Sequence, residues 1–135
     1  MNTDFIQHKG LVLAMIVRGE SEWDKGLNFI SAESDFVQAG FWNYDKGKKL
    51  QAHLHLDCLR QVLKTQEVIL VKRGKLRVDI YTPQKVLFQS IELIAGDIGI
   101  FLHGGHGYEI LEDDTMVLEI KNGPYVGPEN DRERI

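Results

Sequence analysis

Lys49-Leu-Gln-Ala-His53-Leu-His55-Leu56 is the stretch that decides the fold. Side chains of a strand alternate with period two, so Leu50, Ala52, Leu54 and Leu56 would take one face. Gln51, His53, His55 and Asp57 would take the other, with two imidazoles side by side. Downstream, Glu67 is followed by six residues and then Gly74. Further on, His106 lies inside the glycine-rich connection His103-Gly-Gly-His-Gly-Tyr108. Three imidazole nitrogens and one carboxylate that close on one point suit a divalent transition metal. Each residue also has a plainer reading. The histidine pair can be polar residues on a solvated strand face. Glu67 can pair with Lys72, Lys75 or Arg77, and a register slip of one residue would turn Gln66 inward instead. His106 can be an ordinary loop histidine, as can His103, which more often caps a turn. His8 reads as surface.

Working outward, the other apolar runs are short, evenly spaced and separated by turn residues, which predicts an antiparallel all-β domain. Expected strands are Leu11–Val17, Phe36–Tyr44, Lys49–Leu56, Glu67–Lys72, Leu76–Tyr81, Val86–Ile94, Asp97–Leu102, Tyr108–Leu111 and Thr115–Lys121. Only Asp4–Lys9 and Ser21–Lys25 could hold a short helix. Strand count favours a double-sheet jelly roll, although the spacing alone also allows a lipocalin-like barrel. The clustered His/Glu face breaks that tie. A leucine row opposite the histidines needs a cover, either the N-terminal strands or a second subunit, which argues for a homodimer.

The chain of 135 residues is read as one domain, 1–135, with the barrel at about 36–121 and an irregular tail at 122–135. A formal net charge of -4 argues against a nucleic-acid or anionic-membrane surface. Cys58 is the only cysteine, which excludes an internal disulfide and fits a reducing cytoplasm. No apolar run is long enough to span a bilayer, and the start lacks a basic signal-peptide region. The expectation is therefore a cytoplasmic protein.

These residues resemble the cupin superfamily. Gly47, His53-x-His55, Glu67 and Gly74 follow the order of its first motif, with five residues between Gly47 and His53. The link from His55 to Glu67, eleven residues, is longer than the family's. Gly96, Gly104 and His106 follow the second motif, with Leu102 in place of proline, an early histidine and no closing asparagine. Thr65–Val68, Gly104–Tyr108 and Gly123–Gly127 are similar to small single-domain cupins without an assigned activity.

The resemblance implies a double-stranded β-helix, the cupin jelly-roll barrel, with at most one short helix. It implies metal ligands at His53, His55, Glu67 and His106, holding zinc, manganese, iron or nickel. It further implies chemistry on a small polar molecule, either sugar isomerisation or epimerisation, or metal-dependent oxygenation. Tyr108 or Glu67 would then shuttle a proton. The rival is a non-catalytic cupin that binds a sugar or another small molecule around a structural metal. A metal-free epimerase is a third reading. Tyr44 and Tyr81 are lesser acid candidates, and Asp57 could orient a ligand histidine. Arg60 and Lys64, in the long 56–66 connection, could meet an anionic substrate.

Overall fold

The computed structural model describes residues 1–135 and is almost entirely β. In chain order the strands are β1 (Thr3–His8), β2 (Leu11–Val17), β3 (Gly26–Phe29), β4 (Gly40–Asn43) and β5 (Glu67–Arg73). They continue with β6 (Lys75–Tyr81), β7 (Leu87–Ile94), β8 (Ile98–Phe101), β9 (Gly105–Ile110) and β10 (Met116–Lys121). The one helix is a single turn, α1 (Pro128–Asp131).

All pairing is antiparallel. One sheet has the order β1-β2-β8-β5-β10, a second has β7-β6-β9, and β3 with β4 forms a separate hairpin. The two larger sheets pack face to face. Ile6, Ala14, Ile16, Ile69, Val71 and Phe101 of the first meet Leu76, Val78, Ile80 and Leu93 of the second in a single buried cluster. Strict alternation produces this core: Glu67, Ile69 and Val71 are buried while Val68 and Leu70 are half-buried, and β6 repeats the pattern. On the outer face of the first sheet, Met15, Ile100 and Leu102 pack under Ile30 and Ala39 of the hairpin region. Asp97 locks the sheets from one end. Its buried carboxylate accepts hydrogen bonds from the Arg18 guanidinium (2.8 Å) and the backbone N–H groups of Gly19 and Ile94.

Four expectations change. Asp4–Lys9, a helix candidate, is instead β1, because Lys9 and Gly10 both take positive φ and turn the chain straight back onto β2. Ser21–Lys25 forms no helix. Of Phe36–Tyr44 only Gly40–Asn43 enters a ladder. Before it, Asp35 accepts from the Ala32 N–H and Gln38 donates to the Ala32 and Asp35 carbonyls, bonds that compete with strand pairing. The fourth matters most. Lys49–Leu56 forms no strand: residues 48–66 carry neither ladder nor helix, and residues 44–64 are exposed throughout. Alternation says which face a side chain would take; it supplies no neighbour to complete the hydrogen bonds.

The three sheets share no hydrogen-bonded strand pair, and β9 and β10 each end a sheet with an unpaired edge. Those two edges flank the inner face on which Glu67 lies. The tail packs rather than frays, with the Ile135 side chain set against Gly105 so closely that a Cβ there would collide with it.

Candidate functional site

Register places the site. On the inner face of the first sheet, Lys121 pairs with Glu67, and Glu67 with Phe101. On the facing sheet, Val78 pairs with Tyr108 and Ile80 with His106, so β9 directs both side chains toward Glu67. Gly104 makes the approach possible: it turns at φ 73°, and a Cβ there would strike the Tyr81 carbonyl oxygen.

The Glu67 carboxylate, 3% exposed, is the centre of the cluster. The Tyr108 hydroxyl donates to its Oε1 at 2.6 Å, and His106 Nε2 lies 3.4 Å from the same oxygen. On Oε2, Lys121 Nζ approaches to 3.3 Å while holding Glu119 at 2.7 Å. The Phe101 ring packs against both, 4.9 Å from His106 and 5.9 Å from Tyr108 between centroids.

Burial alone would raise the Glu67 pKa. The hydrogen bonds from His106 and Tyr108, with the charges of His106 and Lys121, outweigh it and lower the value to about 2. Burial and the adjacent carboxylate raise the Tyr108 phenol well above its ordinary range. Glu119, as hydrogen-bond partner, raises Lys121. At neutral pH the centre is thus a carboxylate anion held by a phenol, an ammonium and an imidazole.

Of the four expected ligands, the structure brings Glu67 and His106 together. His53 and His55 stay together elsewhere, their rings 5.1 Å apart on the exposed segment, with His53 Nδ1 3.1 Å from the Gln51 carbonyl oxygen. No three His, Cys, Asp or Glu side chains are placed to share one ion. Donor chemistry suits a divalent transition metal, yet the four positions as arranged do not fit one.

Gln66 does not turn inward. Buried on the opposite side, it accepts from the Val37 N–H at 2.9 Å and donates to Asp35 and the Leu102 carbonyl. Asp57, Cys58 and Arg60 are exposed, and Tyr44 lies under the Lys48 ammonium at 5.6 Å. Two members of the cluster, Lys121 and Glu119, went unnoticed in the sequence. Their signal was the alternation within Val117–Lys121, where Leu118 and Ile120 take one face and the two charges the other. No helix is long and apolar enough to cross a membrane. No family model, curated protein or solved structure matches this chain.

Proposed function

We propose that this chain is a metal-binding cupin acting on a small polar molecule, with Glu67 and His106 as the preformed half of the site. The observation that carries the reading is the contact of buried Glu67 with His106 and Tyr108, between two unpaired strand edges. In this reading the barrel is a double-stranded β-helix, completed when residues 48–66 add a strand beside β9 and bring His53 and His55 inward. Reach is no obstacle, since eleven residues link His55 to Glu67 and an extended chain spans about 3.3 Å per residue. The cofactor is a divalent transition metal (zinc, manganese, iron or nickel), which when bound supplies a Lewis acid.

The chain's own residues supply the rest. Lys121 donates to an oxygen-rich substrate, and Tyr108, whose single O–H is given to Glu67, accepts from a substrate hydroxyl. Glu67 takes up a proton only after Tyr108 or Lys121 lets go of it, because both hold the charged form. That suits sugar isomerisation or epimerisation, or oxygenation with iron. A second reading, a non-catalytic small-molecule-binding cupin, is supported by the same saturation of Glu67: a carboxylate with both oxygens engaged is a poor base. Outward-facing Leu118 and Ile120 are about half exposed, which supports a homodimer.

Metal analysis of the purified protein tests the proposal. One equivalent of metal is expected, lost in His106→Ala and in the His53→Ala/His55→Ala double variant alike. Metal retained in both would overturn it. Oxygen uptake and sugar turnover by the loaded protein then separate enzyme from binder.

A further inference from the structure

A cavity of about 660 Å³ lies beyond His106, between the His103–Gly105 turn and the C-terminal tail. Its size is that of a small-molecule site. Leu102, Pro83, Val126 and Ile135 give it apolar walls. Most polar groups around it have partners within the protein. The Thr65 hydroxyl donates to Asp131, Lys85 Nζ pairs with Glu133 at 2.6 Å, and Asn122 takes the Gln66 N–H on Oδ1 at 2.6 Å while donating to the Lys64 carbonyl.

Lys64 and His103 keep donors to spare. Lys64 Nζ lies 3.0 Å from His103 Nδ1. An ammonium can only donate, so Nδ1 accepts and the neutral ring carries its proton on Nε2. Burial and the Lys64 charge lower the His103 pKa and outweigh the Asp35 carboxylate, which raises it, in keeping with that neutral tautomer. This leaves the remaining Lys64 N–H groups and the His103 Nε2–H without protein acceptors at one wall of the cavity. We propose that this cavity binds a compact organic oxyanion, a carboxylate or a phosphate ester, through Lys64 and His103. Because the cavity reaches His106, the inference rests on the Glu67 centre for its purpose, as the anchor of that centre's substrate; anion capture itself needs no metal.

Calorimetric titration of the whole chain, in low salt with a chelator present, tests it apart from the metal proposal. The probes are glycerol 3-phosphate and glucuronate, with glycerol and glucose as neutral counterparts. One or both anions should bind, the neutral compounds should not, and added salt should weaken the binding. The Lys64→Gln/His103→Gln double variant should lose about ten-fold or more in affinity, the worth of one charge-assisted hydrogen bond. Lys64→Gln alone, at an exposed side chain, should show the same direction without risk to the fold. Which anion binds distinguishes carboxylate from phosphate recognition. Failure of both anions to bind, equal binding of the neutral compounds, or unchanged affinity in the variants would overturn the proposal. Loss of metal from a protein that still binds anions would count against the metal site alone.

Discussion

Strand β6 and the segment 48–56 carry the same kind of pattern and end in opposite states. Both alternate aliphatic with polar residues. Leu76, Val78 and Ile80 are no more than 2% exposed, whereas Leu54 and Leu56 exceed three-quarters. The difference is partners. β6 has β7 on one side and β9 on the other, while 48–56 has neither. Alternation becomes structure only where a neighbouring ladder accepts the backbone and an opposing sheet accepts the apolar face. The candidate site splits along the same line: Glu67, His106, Tyr108 and Lys121 are brought together by register, while His53 and His55 touch only each other and the neighbouring Gln51 carbonyl.

The largest expected effect breaks the better-supported side. Ile80→Ala should cost about 2–5 kcal/mol in denaturant unfolding, since it opens a cavity where both sheets meet. Glu67→Gln comes next and is read through pH. The folded carboxyl titrates at about 2 against an ordinary 4.5. A depressed folded value contributes stability above the unfolded pKa and loses it as pH falls through the folded one. Wild type should therefore lose about 3 kcal/mol between roughly pH 5 and pH 2, a loss absent from Glu67→Gln.

Tyr108→Phe should cost about 1–2 kcal/mol at neutral pH and move that acid limb upward, as one donor to the carboxylate is removed. The smallest effect sharpens the comparison. Leu56→Ala should change stability by less than about 0.5 kcal/mol in metal-free protein. A cost above about 1 kcal/mol that emerges only with metal would mean that the segment has found a sheet. Trypsin gives an independent view: cleavage after Lys48, Lys49, Arg60 and Lys64 should be rapid in metal-free protein and slower once the segment pairs.

Legibility followed the same division. β5, β6 and β10 were readable because their apolar residues repeat at period two, and β2, β7 and β8 because short apolar runs lie between glycine or charged turns. Glu67 was readable as inward-facing because Ile69 and Val71 fix its side of the strand. β1 was missed because Thr3–His8 holds few β-branched residues and owes its form to a hairpin return onto β2. Lys121 was missed because a lysine at a strand end ordinarily faces water; only the pairing of β10 with β5 points it at Glu67.

Short-range chemistry, then, was settled by the sequence alone: an all-β chain, most of the turn positions, and the side of β5 and β9 on which their reactive residues fall. These follow from backbone alternation and turn stereochemistry, which act over a few residues. Tertiary structure decided which strands become neighbours, hence that Glu67 meets His106, Tyr108 and Lys121, and that 48–66 stands apart. Pairing between distant strands depends on competing edges and buried area summed over the whole chain, and no local pattern encodes that sum.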